Sequence, residues 1–105
     1  MGSKLPLLKP REVQARVRAL GFKYKRTDGS HETWERLPDQ IIPERKVVQI
    51  DVGKKQFDKF LMKSMIRQSG FTAQEFCSGS ISLSRLQTIK AAADFGILKW
   101  STSAV

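Results

Sequence analysis

Apolar positions first recur along this chain with a helical period. Val13, Val17 and Leu20 fall on one face of a stretch opened by Pro10 and stopped by Gly21, which predicts an amphipathic helix over about residues 10–20. Its other face carries Arg11, Arg16 and Arg18. The period then shortens to two: Phe22, Tyr24 and Arg26 alternate with Lys23 and Lys25, as in a strand. Asp28-Gly29 supplies a hairpin reversal, "HETWERL" a second strand ended by Pro38, and "PDQIIPE" a loop. "RKVVQIDV" reads as a third strand, ended at Gly53.

From Phe57 the helical period returns. Phe57, Leu61 and Met65 lie four apart, Met62 and Ile66 widen the stripe, and Gly70 closes it. Thr72 followed three residues later by Glu75 is a capping box for a short final turn. The predicted order is α-β-β-β-α, an α+β domain whose three-stranded antiparallel sheet buries one face under both helices. Beyond Phe76 the pattern weakens. "CSGS" reads as a link, Ser84 as the cap of a further helix with Leu86, Ile89 and Ala93 as apolar positions, and Gly96 as its stop. "ILKWSTSAV" fits a short strand or a docking tail.

Charge narrows the set of partners. Nineteen Lys and Arg against ten acidic residues give a formal charge of +9 over 105 residues, which favours RNA, DNA, an acidic protein or an anionic membrane surface. The one cysteine, Cys77, excludes an internal disulfide framework and the usual structural zinc patterns, and fits a reducing compartment. No apolar run reaches the roughly 18 residues of a membrane span. The opening "MGSKLPLLKPRE" has too short an apolar part for a signal peptide.

The only histidine, His31, follows the predicted turn and is the natural candidate for proton transfer near neutral pH. Lys25, Arg26 and Arg36 lie beside it as phosphate contacts, with Asp28 and Glu32 available to orient the ring. RNA carries its own nucleophile, the 2′-hydroxyl, so a base, charge stabilisation and alignment suffice for cleavage. A histidine beside a turn is also an ordinary solvated residue. Trp34 has two roles open to it, stacking on a base or packing under a helix, and the second is the commoner. Lys54-Lys55, with Lys59 and Lys63 beyond, form either a basic rim for phosphate or a solvated helix face. One His and one Cys far apart give no recognisable metal-ligand set.

"REVQARVRALGFKYKRTDGSHETWER", "KVVQIDVGKKQF" and "MKSMIRQSGFTAQEF" together resemble the HicA family of mRNA interferase toxins. The resemblance implies a fold like a double-stranded-RNA-binding domain over residues 9–76, with 77–105 as a C-terminal extension. It also implies metal-independent endoribonuclease activity on mRNA, no cofactor, a cytoplasmic location and inhibition by a HicB-like antitoxin. The family's glycine-serine-histidine motif falls on Gly29, Ser30 and His31. His31 is then the catalytic residue, Gly29 shapes the turn, and Lys25, Arg26, Ser30, Arg36, Lys54 and Lys55 are the expected RNA contacts. The chain departs from the family at "DVGKK", where relatives place a proline and a second histidine, and at Phe60-Leu61. Two other functions stay open at this point: an RNA-binding module that does not cut, and chiefly an antitoxin-binding protein. For residues 77–105, packing on the domain, partner binding and homodimer formation are all open.

Overall fold

The computed structural model describes residues 5–94. The elements run α1 (Pro10–Ala19), β1 (Lys23–Asp28), β2 (His31–Arg36), β3 (Lys46–Asp51), α2 (Lys59–Ser69), α3 (Ala73–Ser78) and α4 (Leu83–Asp94). The strands form one antiparallel sheet in the order β1-β2-β3, giving the expected α-β-β-β-α arrangement followed by additional helices. This is a fold like that of the double-stranded-RNA-binding domain.

Each helix begins where local chemistry satisfies its free N–H groups. Pro10 occupies the first turn of α1, and Glu12 accepts the Lys9 N–H at 2.7 Å. Phe57, read as the first position of the second helix, lies before it. Asp58 is the cap, accepting the Leu61 N–H at 2.8 Å, and Phe57 turns into the core instead. Val13 and Val17 from α1, Val48 and Ile50 from β3 and Met62 and Met65 from α2 meet around Phe22, Trp34 and Phe76. Each fully buried side chain of this kind contributes roughly 1.5–3 kcal/mol relative to exposure, so this layer dominates the stability.

The alternation expected in β1 does not produce a buried face. All six residues of the strand are exposed, Tyr24 by 50%. β1 is an edge strand, and the register slips between Tyr24 and Arg26, a bulge at Lys25 that breaks the two-residue period. Only Phe22, just ahead of the strand, reaches the core.

The extension starts on the domain rather than away from it. Ser82, not Ser84, caps α4: its hydroxyl accepts the Arg85 N–H at 3.3 Å and its carbonyl the Leu86 N–H at 3.2 Å. Glu75 completes the capping box of α3 at the Thr72 N–H (2.9 Å) and also accepts the Ser82 N–H (3.0 Å) and the Arg85 guanidinium (2.8 and 2.9 Å). One carboxylate, 1% exposed, therefore caps the start of α3 and fixes the base of α4. Arg85 holds its carboxyl far below the usual range, against the opposing effect of burial. The side chains of Ile89 and Ala93, Gly96 and the tail "ILKWSTSAV" lie outside the described residues. No helix among the described residues is long and apolar enough to cross a membrane.

Candidate active site on the β-hairpin

The β1–β2 hairpin closes one residue later than the sequence suggests. Asp28 pairs with His31, so Gly29 and Ser30 are the two loop residues. Gly29 takes φ +62°, the glycine-first pattern of a tight two-residue hairpin loop. His31 is consequently the first residue of β2, fixed by ladder pairing on both sides: Asp28 on β1 and Asp51 on β3.

Alternation along β2 then divides its side chains between two faces. Glu32, Trp34 and Arg36 turn toward the helices, and His31, Thr33 and Glu35 toward the open face. His31 is 58% exposed there, with Nε2 3.8 Å from Asp51 Oδ2. Asp51 is the partner that sequence reading missed. Its Oδ1 accepts the Gly53 N–H at 3.0 Å. That bond, then the Ser30 hydroxyl, hold its carboxyl below the ordinary carboxylate range, and His31 and Lys54 add to the effect. The Ser30 carbonyl accepts the Val52 N–H at 2.8 Å, tying the hairpin loop to the end of β3. The Lys54 N–H reaches the Asp51 carbonyl at 3.4 Å, so the exposed Lys54-Lys55 pair follows directly on the site.

The two carboxylates expected to orient the imidazole are engaged elsewhere. Glu32 faces the helices, where Oε1 accepts Gln14 Nε2 at 2.7 Å and Trp34 Nε1 at 3.0 Å. Asp28 accepts Arg26 Nε at 3.0 Å. Lys25 lies 3.2 Å from Glu35, which Arg45 also engages. These two cations draw the Glu35 carboxyl down, Arg45 more strongly, and they place Lys25 in an ion network on the open face.

Arg36 is a correction. Expected as a phosphate contact, it is 4% exposed and its guanidinium is committed. Nε donates to the Leu20 carbonyl at 2.7 Å, while Nη1 and Nη2 donate to Asp39 at 2.9 and 2.8 Å. Two-residue alternation from His31 would put residue 35 on the histidine's side and residue 36 opposite, which is where they fall. Trp34 is likewise core, edge-on to Tyr24 at 5.9 Å with the Arg18 guanidinium 5.0 Å from its ring centre. Neither side chain is available to RNA. The structure thus gathers Ser30, His31 and Lys54 around Asp51, leaves Lys25 and Arg26 paired along β1, and removes Arg36. Among the described residues no three His, Cys, Asp or Glu side chains gather as metal ligands.

Comparison with known proteins agrees with this geometry at the level of family. No curated protein matches the chain. Residues 10–71, from the first residue of α1 to Phe71 just past α2, match the family described as the HicA toxin of bacterial toxin-antitoxin systems. With more than half its length covered, the chain belongs to the HicA toxin family.

Proposed function

We propose that this protein is the toxin of a toxin–antitoxin pair and acts as a metal-independent endoribonuclease on mRNA, with the chemistry confined to residues 9–76. The observation that carries the reading is the exposed imidazole of His31 set beside the ionised carboxylate of Asp51, with Lys54 following on the next turn. His31 removes the 2′-hydroxyl proton of the substrate. The freed oxygen attacks the adjacent phosphorus in line, and the P–O5′ bond breaks. The products are a 2′,3′-cyclic phosphate and, after the departing oxygen takes up a proton, a 5′-hydroxyl. Asp51 stabilises the imidazolium that forms, as a carboxylate does beside a histidine base. Lys54 and Lys55 supply positive charge to the phosphate as it accumulates negative charge. Ser30 positions the turn through its bonds to β3 and contributes a hydroxyl at the phosphate, while Lys25 and Arg26 hold flanking RNA once their carboxylate partners yield. A HicB-like antitoxin inhibits by covering this basic face and burying His31, which needs no conformational change in the toxin.

The test is cleavage of a defined single-stranded RNA in EDTA by wild type and His31→Ala, with product ends determined. Loss of the base is expected to slow cutting by about 10²–10⁴-fold. Equal cutting by both proteins, or 5′-phosphate products that require magnesium, would refute the mechanism. Retained RNA binding without cutting by either protein would reassign the domain as a binding module.

A further inference from the structure

A second surface lies on the helical side of the molecule, away from the open sheet face that carries His31. The N-terminal segment runs beside the entry to α2, held there by the Phe57 N–H to the Leu8 carbonyl (2.9 Å) and by Gln56 Nε2 to the Leu7 carbonyl (2.6 Å). Between this segment, α2 and α3 runs an open groove. Half-buried Leu5, Ile66 and Cys77 form its floor, and Lys59, Lys63 and Arg67 line one edge. The three cations are four residues apart, so they recur about every 6 Å along α2. Among the described residues none of the three has a carboxylate within salt-bridge distance, and no acidic side chain lines the groove.

We propose that this groove docks an acidic amphipathic helix of a partner protein. The partner's carboxylates, spaced one turn apart, pair with Lys59, Lys63 and Arg67, and its apolar face covers Leu5, Ile66 and Cys77. The chemistry selects this occupant over others. A sugar–phosphate backbone would satisfy the cations but leave the apolar floor uncovered. A bilayer is bound by apolar side chains that protrude into it, whereas here Leu5, Ile66 and Cys77 are recessed and Leu7 is the one large apolar side chain of the lining that is exposed. A second copy of the chain lacks the complement: α1 holds only Glu12, α2 no carboxylate, α3 only Glu75 and α4 only Asp94, so none offers two carboxylates one turn apart. Residues 95–105 contain no acidic residue at all. An apolar stripe flanked by charge, seated in a groove of opposite sign, is a recurrent mode of helix recognition. Because the groove and His31 lie on different sides of the sheet, this contact is independent of the ribonuclease reading and leaves the site open to RNA.

The test is a titration of the ¹⁵N-labelled full chain with three synthetic helical peptides. Each carries leucines on one face and glutamates four apart, the three differing in register, with glutamine-for-glutamate versions as controls. The expected result is saturable shifts at residues 5–7, α2 and α3 for at least one glutamate peptide. The Lys63→Glu/Arg67→Glu variant and the glutamine controls should both weaken binding by about tenfold or more. Both substituted side chains are exposed, so the variant's melting temperature should match wild type. Absence of groove shifts with all three peptides, or unchanged affinity in the charge-reversed variant, would overturn the proposal. Groove shifts produced by a short single-stranded RNA or by phosphatidylglycerol vesicles, but not by the peptides, would overturn it in favour of those ligands.

Discussion

Replacing Arg36 with alanine distinguishes a phosphate contact from a structural residue, because the two roles predict opposite measurements. Its guanidinium donates to the Leu20 carbonyl and to both oxygens of Asp39, and stands 5.3 Å from the centre of the Phe71 ring. Losing the first bond leaves a buried carbonyl without its donor, at a cost of about 1–3 kcal/mol. Asp39 is 42% exposed and regains water, so its pairing is worth only about 0.2–1 kcal/mol. The guanidinium–ring contact adds about 0.5–1 kcal/mol. Together these give about 3 kcal/mol, which for a domain of this size lowers the melting temperature by about 12–24 °C. Domain stabilities of about 5–15 kcal/mol leave the variant folded at 25 °C, so RNA binding remains measurable. Circular-dichroism melting reads the first quantity, and fluorescence anisotropy with a labelled single-stranded RNA across a salt series reads the second. The salt slope should match wild type, since no phosphate contact has been removed. An unchanged melting temperature together with a slope smaller by ~0.7 would refute the structural assignment and return Arg36 to the RNA face.

Two further substitutions probe the other anchors. Glu75 has a depressed carboxyl in the fold, held by Arg85 against burial, so the native state binds fewer protons than the unfolded chain as pH falls. Its stabilisation is complete above the ordinary value of 4.5 and is lost progressively below it. Urea midpoints of wild type should therefore fall more steeply below pH 4.5 than those of Glu75→Gln, and parallel curves would contradict the assignment. At Gly53 an added Cβ would lie 3.1 Å from Ser30 Cβ and 3.2 Å from Asp51 Oδ1. Gly53→Ala should cut the single-turnover cleavage rate by about ten- to a hundredfold with little change in melting temperature, because it displaces the hairpin loop from β3 without opening the core.

Elements whose apolar spacing is set locally were legible in the sequence. The four-residue recurrence in α1 and α2 and the capping box at Thr72 each follow from neighbours within one or two turns. Three features were not. β1 shows alternation but buries nothing, because burial depends on the strand's place at the sheet edge and on a bulge that composition does not mark. Arg36 reads as one more surface cation, and only the Leu20 carbonyl and Asp39, brought together by folding, show otherwise. Asp51 stands twenty positions from His31, across a loop with two prolines. Its pairing depends on the β2–β3 register, whereas the candidates nearer in sequence, Asp28 and Glu32, are drawn to Arg26 and to Gln14 and Trp34. Ser30 and Lys54 could be named beside His31 from the sequence, but Asp51, the carboxylate that joins them, could not.

The family match ends at Phe71, and the ring of this residue is touched from both the sheet and the first helix of the extension. The Arg36 guanidinium lies 5.3 Å from its ring centre and that of Arg85, from α4, 5.2 Å. Each guanidinium is neutralised by its own carboxylate, Asp39 and Glu75, so both can share one aromatic surface. The end of β2 and the base of the extension therefore contact a common group. Side chains that share a partner are energetically coupled, typically by about 0.5–3 kcal/mol. A double-mutant cycle with Arg36→Met and Arg85→Met, read by urea unfolding, should show coupling of at least about 0.5 kcal/mol. Methionine replaces the aliphatic stem of each side chain and removes the guanidinium, which limits the cycle to the contacts made by that group. Additivity within about 0.3 kcal/mol would mean that Phe71 does not transmit between them, and that α4 sits on the domain through Glu75 alone.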